Sequence, residues 1–529
     1  MNFFEKLKLL KKNNATEMNY KMLFQNIIKG IYLSVFLIII LICVFFPKIE
    51  YANKSLCANF LSPWVLMFLG TIFFAVVYTV ANCFNFKNSK KTMIVVSILF
   101  FFLNLFCVYN YYFYTGWDSS ELINFSNSYI HHQNANDYQW YFSRYPNNLF
   151  LAEIFSIIRF VAHNIGFHDY EYFAILTVQC FLNAVTGYLL FHIIKYLFDD
   201  TKISLFGYVV YVLLAGISPW ISIPYSDSMA LIFPTLILYL YIHNKKKNSM
   251  LVWFFIGLCS TVGYKIKPQT FIVFIAVILV ETFCVAGKRE LKKSFLNDLI
   301  AIFGAFMGLC IIKVGISAMN FPVDKNMSFG IAHYFMMGMN PADMGNFSDK
   351  DVEFSASFST CAERNAADLY VAINRIKNMH VLGLVQQFAR KILSNYYNGT
   401  FSWAAEGGFF LEVFPPKATP ICEFLRGLYY TGQYGDIGKY YILWSNFEQM
   451  IWLTIIFLNV FAWHATKNNR VCVIMLSILG LTLFELIFEA RARYLFTYIP
   501  LYIILSLYGF QYIRSRLNTF RERYKRSER

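Results

Sequence analysis

Charge is what this sequence has least of. Asp, Glu, Lys and Arg together make up 15% of its 529 residues, where an ordinary soluble domain carries roughly a quarter. Long polar stretches are equally scarce, and no internal repeat or low-complexity tract breaks the pattern. No Cys-x-x-Cys pair and no local His/Cys cluster marks a metal site. These absences exclude a soluble multidomain enzyme and a zinc-ribbon type of binding module. What fills the chain is apolar: 57% of residues are hydrophobic and 19% aromatic.

The net charge of +15 does not point to nucleic acid, because no basic face with interleaved aromatics lies outside the apolar runs. The basic residues cluster at the ends and in short loops, with Lys6, Lys8, Lys11 and Lys12 at the start and Arg514 to Arg529 at the finish. That distribution reads as positive-inside topology and contact with anionic lipid headgroups. Both termini are then cytoplasmic. The first apolar run follows a basic stretch as a signal peptide would, but it is too long and lacks a small-residue cleavage site, so it reads as a retained span. Eight of the eleven cysteines fall within or beside apolar runs, where cysteine behaves as a small hydrophobe. Cys361 and Cys422 lie in predicted external loops, where a disulfide between them is open.

With about 20 apolar residues per crossing, thirteen segments qualify: 27–46, 60–83, 92–111, 147–165, 172–196, 203–220, 228–243, 250–264, 268–286, 296–318, 447–464, 471–488 and 494–512. The expected fold is an all-α, polytopic bundle of about 12–13 transmembrane helices with external loop helices. Two cytoplasmic termini require an even count, so one segment does not cross. Positive loops at Lys87–Lys91, Lys245–Lys247, Lys288–Lys293 and Lys467–Arg470 place the parity error in 147–220. Its weakest member is 147–165, which contains Asn147, Asn148, Glu153, Arg159 and His163. Three regions follow: an N-terminal membrane module 1–318 with an outer loop at 112–146, an external region 319–446, and C-terminal membrane helices with a basic tail at 447–529. The external region holds a helix-like stretch from Ser359 to Tyr397 whose apolar positions share one side.

Several outer-face residues are candidates for chemistry. Asp118 and Glu121, in Gly116-Trp117-Asp118-Ser119-Ser120-Glu121, share a helix face at i,i+3. They suit proton transfer from a hydroxyl or metal binding; equally, Asp118 or Ser119 suits a helix cap. Arg144-Tyr145-Pro146 opens the next helix, where proline belongs in the first turn. Asp227, in Tyr225-Ser226-Asp227, stands at a helix N-terminus and suits either the macrodipole or an acceptor. Lys265 and Lys267 interrupt an apolar stretch on the outer side, where the positive-inside rule does not explain them; they suit a phosphate or headgroups. Glu485, Glu489, Arg491, Arg493 and Tyr494 form the densest charged cluster at membrane depth, where ionisable residues are expensive. One arginine there can pair with a glutamate while the other faces a phosphate. His333 lies in an apolar segment too short to span, as a re-entrant wall or a packed structural residue. The interior of the spans reads as mostly uncharged.

Taken together, these residues resemble the polytopic glycosyltransferases of the C fold (GT-C), the superfamily of protein O-mannosyltransferases and bacterial aminoarabinose or polysaccharide-modifying transferases. The likeness runs through most of the chain: Gly116-Trp117-Asp118 in the first large outer loop, Arg144-Tyr145-Pro146, Tyr225-Ser226-Asp227 and Lys267-Pro268 in a hairpin. Segment 330–340, Asn398-Gly399-Thr400-Phe401-Ser402-Trp403 and the Glu489–Tyr494 cluster look like parts of a bacterial cell-envelope branch. The resemblance implies a sugar donor on polyprenyl phosphate, an envelope glycan acceptor and an inverting displacement, with Asp118 as the base. Glu121 or Asp227 would be the second acid, and Lys265, Lys267, Arg491 and Arg493 would hold the lipid phosphate. Many relatives carry a His or paired prolines where this chain has Tyr145 and one proline, so protein O-mannosylation is not implied. No cofactor and no resident metal are implied, although the acidic pair leaves a divalent ion chemically open. Abundant Asn, Lys, Ile and Phe point to an AT-rich bacterial source and hence a plasma membrane. Two other classes compete: a lipid-linked glycan flippase or transporter, which needs ionisable residues strung through the bundle, and a membrane acyltransferase built on His333.

Overall fold

In lipid every backbone N–H and C=O must find its partner within its own segment, so long runs of Leu, Ile, Val and Phe become helices. The computed structural model describes residues 3–47, 60–84, 86, 88–284, 288–403, 412–413, 419–429 and 438–527. Among these, nine helices are long and apolar enough to cross a membrane: Tyr20–Phe45, Pro63–Cys83, Ser89–Tyr111, His168–Phe198, Ser226–Asn244, Arg289–Ala318, Tyr441–Ala465, Asn469–Ile487 and Ala492–Arg526. Three shorter apolar helices accompany them: Thr201–Gly216, Met250–Ile266 and Pro268–Phe283. The fold is an all-α polytopic bundle. Its one strand pairing among the described residues joins Phe113–Tyr114 antiparallel to Glu412–Val413.

Twelve of the thirteen expected segments have their counterparts among these helices, and the thirteenth does not. Helix Leu149–Asn164 is too short and too polar on one side to join the spans. Its buried side carries Ala152, Phe155, Ser156 and Arg159, while Ile157, Phe160 and Val161 are exposed. Without 147–165, twelve of the expected segments remain as apolar helices, nine of them long enough to cross.

Close approach between spans is set by small residues, since lipid gives no hydrophobic drive to helix association. Helix Met250–Ile266 packs along Lys288–Ala318, where a Cβ on Gly257 would run into the Ala301 carbonyl and one on Gly304 into the Phe254 carbonyl. Thr261 Oγ1 donates to Ala305 O across the same seam at 2.9 Å. Elsewhere buried amides fasten irregular backbone. Helix Thr201–Tyr211 widens into a π turn at Val212–Gly216, and the freed Gly216 carbonyl accepts from Asn104 at 2.9 Å and Asn183 at 2.7 Å. Gln179 Nε2 then donates to Ile221 O and Ile223 O. These bonds carry the chain 217–225 to the bundle end where Asp118 lies.

The ends of the bundle differ in charge. Helix Ile499–Ser527 begins beside the Glu489–Tyr494 cluster and ends among Arg514, Arg516, Arg521, Arg523, Lys525 and Arg526. Its 29 residues measure about 43 Å at 1.5 Å per residue. The basic tail and the cluster are therefore at opposite ends. Outside the spans, helix Cys361–Tyr396 occupies the expected stretch, broken at His380 by a positive φ of 52°. Cys361 and Cys422 are both free thiols, and Cys422 Sγ donates to Asn110 O, so no disulfide joins them.

Candidate functional site

Asp118 stands in the first turn of helix Trp117–Ile130, which follows Gly116 and has no side-chain cap. The capping alternative fails: Ser119 Oγ donates instead to Pro224 O at 2.9 Å, tying this helix to the chain before Tyr225. The Asp118 carboxylate accepts one phenol on each oxygen, from Tyr141 at 2.8 Å and from Tyr225 at 2.9 Å. Asn148 Nδ2 donates to Tyr141 Oη at 2.7 Å, which directs the phenol proton toward Asp118. Two rigid aromatic donors from different elements thus fix the carboxylate plane. Trp117 adopts φ 51°, in the left-handed region that non-glycine residues seldom occupy. Tyr225 holds it there edge-on at 4.8 Å. The Arg493 guanidinium lies 5.1 Å from the Trp117 ring and 5.5 Å from Tyr225, a cation–π arrangement.

Glu121, one turn along the same face, is half-buried, and burial followed by the Asp118 charge raises its carboxyl above the usual range. Asp227 takes a different place from the one its spacing suggests. It is fully buried and ion-paired with Lys267, itself 3% exposed. The Lys267 ammonium also lies 4.8 Å from the Tyr494 ring. Glu489 accepts from Arg491 Nε at 2.9 Å and from Tyr494 Oη at 3.0 Å. Asp118, Tyr225, Trp117, Arg493, Tyr494, Glu489 and Lys267 therefore form one chain of contacts at one end of the bundle.

A family model described as "conserved hypothetical integral membrane protein" matches residues 20–513, nearly the whole chain. The chain belongs to this family. No curated protein matches it. Membership makes the apolar spans of this integral membrane protein lipid-facing where they are exposed, as at Phe68, Leu99, Phe102 and Phe303.

Not every candidate joins the cluster. Lys265 is partly exposed and lies 5.9 Å from the neighbouring Tyr264 ring, away from the Asp227–Lys267 pair. Arg144 packs over Trp140, and its carbonyl accepts from Phe329 N. Tyr145 packs at a tilt against Tyr141 and edge-on to Phe329, and burial beside Asp118 pushes its phenol up to about 12. His333 is buried and packed against Phe329. Its imidazole donates from Nδ1 to Ser355 Oγ at 2.7 Å, and Ser355 donates on to Asp368 at 2.8 Å. Burial lowers His333 to about 4, keeping it neutral. The membrane helices also carry more buried acidic side chains than expected: Glu281, Glu448 and Glu485 are all buried, Glu281 accepting from Tyr241 at 2.7 Å. Glu281 and Glu485 stand in the last turns of their helices and Glu448 two turns into Tyr441–Val460.

One neighbour of the cluster escaped sequence reading. Lys391, fully buried in helix Cys361–Tyr396, donates to Gly338 O at 2.9 Å and Phe488 O at 2.5 Å, bracing the turn before Glu489. Burial pulls its ammonium down to about 7, against the opposing pull of Glu485 and Glu489. Folding thus depresses this pKa from 10.5. The unfolded chain binds the extra proton between the two values, so stability rises as pH increases from about 7 to about 10.5. Lys391→Met is expected to flatten that rise, read as melting temperatures in detergent across the window. A second missed group consists of His131, His163 and Glu171, whose ligand atoms lie within 4.8 Å of one another. Sequence reading found no metal cluster because His131 is 32 residues from its partner; His163-x4-His168-x2-Glu171 was the local signal available.

Proposed function

We propose that the protein is an inverting glycosyltransferase of GT-C type, taking sugar from a polyprenyl-phosphate donor to an envelope glycan at the outer face of a bacterial plasma membrane. The observation that carries this reading is Asp118: a partly accessible carboxylate held by Tyr141 and Tyr225 in one contact chain with Arg493. Its bundle end is opposite the basic tail, which the positive-inside rule assigns to the cytoplasm.

In this mechanism an acceptor hydroxyl loses its proton to Asp118 as its oxygen attacks the anomeric carbon. The bond from that carbon to the phosphate oxygen breaks, and polyprenyl phosphate leaves with the electron pair. Arg493 beside Tyr225, together with Lys267 in its pair with Asp227 and Arg491 in its pair with Glu489, supplies the positive charge that stabilises the leaving phosphate, with Lys265 near the lipid edge. Glu121, whose raised carboxyl lies one turn from Asp118, is the acid placed to contact the acceptor.

The reading is tested by sugar transfer from a synthetic polyprenyl-phosphate donor to envelope polymer, with the protein in lipid vesicles. Tyr225→Phe removes one of the two phenols that orient Asp118 and is expected to slow transfer between about 10- and 100-fold, with little change in donor binding. The alternative, a lipid-linked glycan flippase, draws support from Glu448, buried two turns inside a span. It would prevail if the vesicles scrambled the lipid-linked sugar across the bilayer with no transfer.

A further inference from the structure

The His131, His163, His168 and Glu171 cluster lies apart from the Asp118 site. His131 follows the C-terminus of helix Trp117–Ile130, whose other end carries Asp118. Thirteen residues of helix separate the two, about 20 Å at 1.5 Å per residue. His163 is in the last turn of Leu149–Asn164, His168 opens the short turn His168–Tyr170, and Glu171 begins the span Glu171–Phe198. Gly166, at φ 92°, lets the chain reverse between them.

Ligand-type atoms of His131, His163 and Glu171 lie within 4.8 Å of one another, and His168 stands beside His163. Glu171 Oε1 is 2.8 Å from His163 Nδ1, and Glu171 Oε2 is 3.2 Å from His131 Nε2. His168 Nδ1 is 3.1 Å from His163 Nδ1. Ligand atoms of a tetrahedral zinc ion with ~2.0–2.1 Å bonds stand roughly 3.3 Å apart, close to these separations. Hydrogen bonds alone satisfy the group poorly. The single proton on His163 Nδ1 cannot serve Glu171 and also leave that nitrogen to accept from His168. A cation between them takes the lone pair of each. Arg159 Nη1 lies 3.5 Å from Glu171 Oε2 and donates to Asn127 at 3.2 Å. It is the longest of the Glu171 contacts and shares Oε2 with His131, while Oε1 faces His163. The arginine then orients the carboxylate as an outer partner of the site.

We propose that His131, His163, His168 and Glu171 bind a divalent transition-metal ion of the zinc class. Imidazoles with one carboxylate suit zinc better than calcium or magnesium, which prefer all-oxygen cages. The ion staples three helices at the membrane boundary and anchors the far end of the helix that presents Asp118. It is a positioning site, not a catalytic one.

The test uses the full chain in detergent, loaded with ZnCl2, dialysed and analysed for metal by mass spectrometry. One zinc per chain is expected for the wild type and for His132→Ala, an exposed neighbour outside the cluster. His163→Ala and Glu171→Gln are expected to retain less than a tenth of it. No zinc retained by the wild type, or equal retention by His163→Ala and Glu171→Gln, overturns the site. Should those variants misfold, wild-type protein loaded with Co2+ decides alone. Four-coordinate cobalt gives intense visible absorption that one equivalent of Zn2+ bleaches, and a pale spectrum indifferent to Zn2+ counts against the proposal.

Discussion

Asp118→Asn is expected to leave a folded protein that has lost sugar transfer by about a hundred- to ten-thousand-fold, the range that a positioned general base contributes. The side chains are isosteric, and the amide oxygen still accepts from one tyrosine. Its NH2 group faces the other phenol oxygen, so the local hydrogen bonding can be kept while the proton acceptor is gone. Melting temperature and size-exclusion profile should match the wild type. Transfer at the wild-type rate would remove Asp118 from the mechanism, and with it the strongest support for the proposed function.

The second large effect concerns stability. Lys267→Met leaves Asp227 fully buried with its ionic partner removed. Breaking one side of a buried pair costs about 3–5 kcal/mol, whereas replacing both sides by apolar residues is often neutral. The single variant is therefore expected to melt well below the wild type, and Lys267→Met with Asp227→Leu to recover most of the loss. If Lys267 instead acted mainly on a donor phosphate, the double variant would be stable yet weak in donor affinity. Thermal melts and donor KM measured together on both variants separate the two roles.

Much of the fold was legible because its signal is additive. Runs such as 27–46 and 471–488 are apolar on every side, and a window average detects them. Helix Leu149–Asn164 misled that average because apolar residues occupy both its packed and its open side; Arg159 and Glu153 were the clue that it is not one of the long spans. The site was legible in membership but not in pairing. Tyr225 and Asp227 are two residues apart, and the turn into helix Ser226–Ala230 sends the phenol to Asp118 and the carboxylate to Lys267. Spacing could not show that divergence. Tyr141 and Asn148 act across folded contacts with no sequence signature, and Lys391 resembled any basic residue of an amphipathic helix.

The short hairpin beside the site has a consequence for the membrane around it. Helix Met250–Ile266, 17 residues, reaches about 26 Å, less than the roughly 30 Å of a typical hydrocarbon core. Its exposed Met250, Leu251, Phe255 and Tyr264 must be matched by acyl chains. The adjoining 31-residue helix Lys288–Ala318 is far longer, about 46 Å. A bilayer that matches the hairpin is expected to be thinner there than beside the longer helix.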